Sequence, residues 1–170
     1  MNPTIRNFVL GAAFAAAAGS ASAATFDVRE TPAGDEKVGT IAADGAYHVI
    51  YTLNLCTLGL AKDDILVVTA QSQVQNSSVD HGIYFAPRII RDTSATSTTG
   101  LPVDNQGNGM NIAAHDYRLV SPKVTISKVA DGTTDKCFIN YIGRADDDGE
   151  GGSLDVVNNR GRLQVLKITP

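Results

Sequence analysis

The sequence DDILVVTAQSQVQN, residues 63–76, shows the clearest structural pattern of the chain. Apolar or small residues occupy every second position in its centre: Leu66, Val68, Ala70, Ser72 and Val74. The residues between them, from Thr69 to Gln75, are threonine and glutamines. Because successive side chains of a strand point to opposite faces, this period of two predicts a β-strand with one buried face.

The same alternation recurs on both sides of this stretch. It is clearest in AYHVIYTLNLC (46–56), GIYFAPRIIRD (82–92), KCFINYIGRA (136–145) and RLQVLKI (162–168), which Gly, Asp and Asn separate. No sustained 3.6-residue period appears, so the chain is predicted to be all-β. The strand count fits an antiparallel β-sandwich, best an eight-stranded jelly roll. An immunoglobulin-like sandwich is the alternative, although the chain has no Trp and its cysteines are far apart.

A proline and an Asn/Gly-rich linker refine the predicted strands. Pro87 interrupts the run 82–92, and a proline inside a sheet is confined to an edge or a bulge. NNRG, residues 158–161, separates SLDVV from RLQVLKI. Asn and Gly accept positive φ at low cost, so this linker predicts a tight hairpin.

The N-terminus predicts export. Arg6 precedes an apolar run, FVLGAAFAAAA, and the small residues Ala21 and Ala23 form an Ala-x-Ala site. These are the three parts of a secretory signal peptide, which we expect to be cleaved after Ala23. Residues 24–170 then form one domain, secreted or periplasmic, and no further apolar run is long enough to span a membrane.

The charge distribution argues against nucleic acid as a partner. The net charge is −4, and it becomes −5 when Arg6 leaves with the signal peptide, since all 18 acidic residues remain. The basic residues are scattered, whereas nucleic-acid and anionic-membrane surfaces present clustered Lys and Arg.

Cys56 and Cys137 are the two cysteines of the chain. In an oxidising compartment they are predicted to form one disulfide. A metal-binding thiolate pair would need closely spaced ligands, which this separation does not offer.

The acidic run DDDGEGG, residues 146–152, is a candidate calcium site. Asp146, Asp148 and Glu150 alternate along it as oxygen ligands would. The helix-flanked calcium loop fails, because its twelfth position, counted from Asp146, is Val157 rather than Glu. The alternative is a solvated turn whose charges discourage edge pairing between strands. We expect no other cofactor.

Catalytic signals are weak. His48, His81 and His115 are 33 and 34 residues apart, so a zinc or copper site would need the fold to gather them. No serine lies in a Gly-x-Ser-x-Gly context. We therefore expect a non-enzymatic protein, and a secreted hydrolase with spatially paired carboxylates is the remaining alternative.

The segment 91–111 breaks the strand rhythm. It is rich in Thr, Ser, Asn and Gly, and loops beyond about 15 residues are usually functional or disordered. We predict that Thr98, Asp104, Asn105 and Asn108 contact a ligand. On this interpretation the protein is a secreted binding module that engages an extracellular protein or glycan through its end loops.

A second function class is a structural subunit of an extracellular assembly, such as a coat, a filament or a homo-oligomer. Its partners would be copies of the same chain. The strand-rich ends ATFDVRE (24–30) and RLQVLKITP (162–170) predict that either end adds to the sheet edge of a neighbour.

Overall fold

The computed structural model describes residues 25–30, 37–77, 80–103 and 109–170. The predicted signal peptide, residues 1–23, lies outside these ranges. Within them, no helix is long and apolar enough to cross a membrane. The ten strands are, in chain order, β1 (Thr25–Glu30), β2 (Lys37–Ala42), β3 (Asp44–Asn54), β4 (Ile65–Asn76), β5 (Ile83–Asp92), β6 (Leu101–Pro102), β7 (Met110–Ile112), β8 (Tyr117–Lys128), β9 (Phe138–Asp146) and β10 (Ser153–Thr169).

These strands form two antiparallel sheets. Sheet A has the order β1-β10-β4-β8, with β2 also paired to β10, and sheet B has the order β3-β9-β5, with β6 and β7 both paired to β5. Counting β1 with β2 and β6 with β7 as single positions gives eight, arranged 1-8-3-6 and 2-7-4-5. This is the strand order of a jelly roll, which confirms the predicted sandwich and excludes the immunoglobulin-like alternative.

The core lies between the sheets, and β4 contributes its alternate residues as predicted. Leu66, Val68, Ala70, Ser72 and Val74 are each at most 1% exposed. They meet Phe85, Ile89, Ile139 and Tyr141 of sheet B. Burial of each large apolar side chain stabilises the fold by about 1.5–3 kcal/mol. The polar Ser72 is tolerated because its hydroxyl bonds the Tyr141 hydroxyl at 3.0 Å.

The predicted hairpin at NNRG is wrong. Strand β10 runs unbroken from Ser153 to Thr169, and its pairing with β4 shifts register between Val157 and Arg162. The linker is therefore a bulge in one continuous strand. Gly161 is needed for close approach, since a Cβ there would overlap the Tyr51 hydroxyl. Burial raises the pKa of Tyr51 to about 12.

Pro87 lies where the sequence predicts. It pairs with Gly143 of β9 on one side. On its other side it falls between the β5 residues that pair with β7 and those that pair with β6. Its missing N–H therefore interrupts no ladder there, and the edge prediction is confirmed.

The predicted disulfide joins Cys56 to Cys137, with 4.9 Å between their Cα atoms. Cys56 opens a single 3-10 turn, Cys56–Leu58, just after β3, and Cys137 directly precedes β9. The bond therefore connects two neighbouring strands of sheet B, and the prediction is confirmed.

The first and last described strands pair with each other. The register runs from Thr25 opposite Thr169 to Glu30 opposite Gln164. Strand β10 lies between β1 and β4, so the prediction that RLQVLKITP adds to the sheet of a neighbour is wrong. The outer strands of sheet A are β8 on one side and β1 with β2 on the other.

Candidate functional site

The predicted calcium loop connects β9 to β10 at one end of the sandwich, and its carboxylates already have neighbours. Asp146 Oδ2 is 3.9 Å from Arg144 Nη2, and its Oδ1 accepts a bond from the Asp148 N–H at 3.3 Å. Glu150 Oε2 lies 3.4 Å from His81 Nδ1. The fold thus directs Glu150 toward a histidine of the preceding β4–β5 connection.

The buried acid of this loop is Asp147, which sequence reasoning passed over. Its side chain is 1% exposed. Oδ1 accepts a bond from the Gly149 N–H at 3.1 Å, and Oδ2 lies 3.6 Å from His81 Nε2. His81 therefore stands between two carboxylates, those of Asp147 and Glu150. A sequence shows no such contact, because the histidine and the acids are more than 60 residues apart.

An open cleft of about 160 Å³ lies beside the acidic loop. Its lining comprises Gly82, Tyr84, Asn111, Asp146, Asp147 and Asp148. In the described ranges, no group of three His, Cys, Asp or Glu side chains is arranged to hold a metal ion. Calcium binding by Asp146, Asp148 and Glu150 stays a prediction.

The three histidines have different surroundings. His48 Nε2 is 3.1 Å from Asp44 Oδ1, so this imidazole has its own carboxylate neighbour, while His81 contacts Asp147 and Glu150. His115 occupies the turn between β7 and β8 with φ of 58°.

The interpretation of the segment 91–111 as one long loop is wrong. It contains β6 and β7, which are two and three residues long and so too short to show a period. Its first part lies on sheet B, where Asn140 Nδ2 donates to the carbonyl oxygens of Ser94 (2.9 Å) and Ser97 (3.0 Å).

The predicted ligand contacts in this segment are only partly described. Thr98 is half-buried. Asp104, Asn105 and Asn108 lie outside the described residues, so the ligand-binding role of all four stays a prediction.

The solvent side of sheet A carries an apolar row. Val28 pairs with Leu166, Leu166 with Val67, and Val67 with Ile126. Directly paired residues of antiparallel strands share a face, so the row crosses β1, β10, β4 and β8. Val28 is 56% exposed and Ile126 is 70% exposed.

Further residues extend this row along β8. Val124, Leu119 and Tyr117 pair with Thr69, Gln73 and Gln75, which point outward from β4. Five of the seven exposed large hydrophobic residues in the described part of the chain thus share this surface. We call it the apolar face of sheet A: Val28, Val67, Tyr117, Leu119, Val124, Ile126 and Leu166.

Sequence reasoning assigned the apolar strand residues to the core and so missed this surface. The available signal was the run ILVV, residues 65–68, which places apolar side chains on both faces of the strand. A strand with one solvated face alternates instead.

Comparison with known proteins gives fold neighbours only. No protein-family model and no curated protein sequence matches the chain. Among solved structures, infectious bursal disease virus Gx strain matches with 10% identity and a TM-score of 0.48, over 85% of this chain and 37% of the viral chain. The VP2 subviral particle of that virus matches with 13% identity and a TM-score of 0.46, over 85% and 32%. The chain thus spans about a third of these viral proteins.

Proposed function

We propose that the protein is a structural subunit of an extracellular assembly and that its copies associate through the apolar face of sheet A. The observation that carries the proposal is the cross-strand row from Val28 to Ile126, which spans all four strands of the main sheet path. Export of the subunit is the part of the proposal that rests on residues 1–23.

The size of the face suits an interface core. With strands about 4.8 Å apart and about 3.3 Å per residue, the outward side of β4 and its neighbours covers on the order of 500 Å². A standard interface buries about 800 Å² per partner, with an apolar centre and a polar rim. Patches of this size on a monomer are often functional.

The charge pattern favours a second copy as the occupant. Each copy carries a net charge of −4, or −5 without the signal peptide, so most surfaces of two copies repel each other. The outward positions of β4, from Ile65 to Gln75, carry no charge. Two copies can therefore pack sheet to sheet about a two-fold axis without placing like charges along β4, at the centre of the contact.

Analytical ultracentrifugation of residues 24–170, from micromolar to submillimolar concentration, tests this proposal. We expect a concentration-dependent increase in mass. Ile126→Lys should weaken association at least about tenfold, because it places an ammonium group at the centre of the apolar contact. Ile126 is exposed in the monomer, so circular dichroism and the melting temperature should stay near the wild-type values.

Leu101→Lys is the matched control, since Leu101 is a 42%-exposed apolar residue of sheet B and lies off this face. It should associate as the wild type does. A wild-type protein that stays monomeric at the highest concentration overturns the proposal. Equal weakening by Ile126→Lys and Leu101→Lys would also contradict it.

A further inference from the structure

A charged residue occupies a core-facing position at the end of β5. The inward residues of this strand are Ile83, Phe85, Pro87 and Ile89, and Arg91 takes the next position of the same parity. Arg91 pairs with the buried Ile139 of the neighbouring strand β9. Arg91 is 3% exposed, and the Nε and Nη1 atoms of its guanidinium group are buried.

The hydrogen bonding of this guanidinium group is incomplete. Nη2 donates to the carbonyl oxygen of Thr133 at 2.8 Å and to its hydroxyl at 3.0 Å. Nε and Nη1 are buried and have no acceptor in the described part of the protein. Burial lowers the pKa of Arg91, and the charge of Asp135 opposes this shift. A buried cation without a full set of acceptors is costly to the fold.

A cavity of about 180 Å³ lies against this group, between β6 of sheet B and the end of β8 of sheet A. The polar residues of its wall include Arg91, Ser127 and Thr133, and Leu101, Pro102 and Val103 form an apolar side. Lys128 also borders it, but its Nζ already contacts Asp63 Oδ1 at 2.8 Å. The site therefore combines apolar walls with a cation that lacks acceptors for Nε and Nη1.

We propose that this cavity binds a small carboxylate with a short apolar chain. The carboxylate accepts hydrogen bonds from the Arg91 guanidinium group, whose planar fork matches a carboxylate. The apolar chain packs against Leu101, Pro102 and Val103. The site is separate from the apolar face of sheet A, so carboxylate binding can be tested independently of self-association.

Titration with butyrate, followed by melting temperature and by ¹H–¹⁵N NMR, tests the site. We expect a saturable rise of about 3 °C at high ligand concentration and shifts centred on Arg91 and Thr133. Butyramide at equal concentration should give no saturable response, since it lacks the charge. Sulfate at equal ionic strength should act more weakly, because it cannot use the apolar wall.

Arg91→Met should weaken butyrate binding at least about tenfold, in line with the loss of charge-assisted bonds. Arg88→Met is the matched control, because Arg88 lies three residues earlier on the opposite face of β5 and contacts the ring of Tyr47. It should keep the butyrate response. Ultracentrifugation of Arg91→Met should show unchanged self-association.

Three results would overturn the proposal: no saturable butyrate response in the wild type, an equal response to butyramide, or an undiminished response in Arg91→Met. If Arg91→Met does not fold, the comparison of butyrate with butyramide on the wild type still decides the question.

Discussion

The outward faces of the two sheets differ in whether the chain covers its own apolar residues. On sheet B, Ile90 and Ile142 point away from the core side, yet they are 1% and 0% exposed. Residues 93–100 lie on this face through Asn140, and Arg88 lies 5.8 Å from the ring centre of Tyr47. On sheet A, Val124 and Ile126 remain 63% and 70% exposed.

This difference locates the apolar surface that the described chain leaves uncovered. An apolar residue on the outside of a sheet is stable when a loop covers it, as on sheet B, and it attracts a partner when none does. Sheet B also has the disulfide between the ends of β3 and β9. Sheet B is thus crosslinked and partly covered by its own chain, while the apolar face of sheet A stays exposed, as the proposed self-association requires.

Removal of the disulfide should have the largest effect. In the chain-entropy model, a bond across 81 residues removes about 4 to 5 kcal/mol of freedom from the unfolded chain. The double variant Cys56→Ala, Cys137→Ala should lose stability of that order in urea unfolding. Wild-type protein unfolded with a reductant should reproduce the loss. A loss below about 1 kcal/mol would mean that sheet B does not depend on its crosslink.

Loss of the hydrogen bonds that hold residues 94 and 97 on sheet B should have the next largest effect on stability. Asn140 is fully buried, accepts a bond from the Thr52 hydroxyl at 2.7 Å and donates to two carbonyl groups of the covering loop. Asn140→Ala leaves these groups without partners, so we expect a loss of about 2 to 4 kcal/mol in urea unfolding. Gln73→Ala, on the open face of sheet A, should change stability by at most about 0.5 kcal/mol. Equal losses would show that the two faces do not differ.

The sequence predicts what is periodic or covalent. The alternation in 63–76 identified the inward residues of β4, and a count of two cysteines in a chain predicted to be exported gave the pairing of Cys56 with Cys137. Both inferences need only local spacing or a count. The jelly-roll class was inferred from the number of short strands that one domain must pack.

The sequence does not predict what depends on neighbours distant in the chain. In the sequence Gly161 looks like a turn residue, whereas in the structure it is the residue against which Tyr51 packs. His81 meets Asp147 only through the packing of two loops at one end of the sandwich. Ile90 and Ile126 both lie on outward faces, yet Ile90 is buried on the face where Asn140 holds residues 94 and 97, and Ile126 is exposed.

The smallest expected effect is the pH dependence of the loop 93–100, which lies on sheet B. The hydrogen bond from Ser97 to Asp92 Oδ2, at 2.6 Å, is the main cause that lowers the pKa of Asp92 below its ordinary 3.8, and Thr93 contributes further bonds. A carboxyl group with a lowered pKa stabilises the folded loop above its unfolded pKa. That contribution is lost as pH falls through the folded value.

Amide hydrogen exchange between about pH 5 and pH 2 should therefore show reduced protection of residues 93–100 at the acidic end, with the amides of β4 as reference. Asp92→Asn keeps an acceptor but cannot titrate, so its loop protection should not vary with pH in this window. A wild-type loop whose protection stays constant would mean that Asp92 does not hold the cover. The burial of Ile90 would then depend on Asn140 and the side chains around it, and the contrast between the two faces would be one of packing rather than of charge.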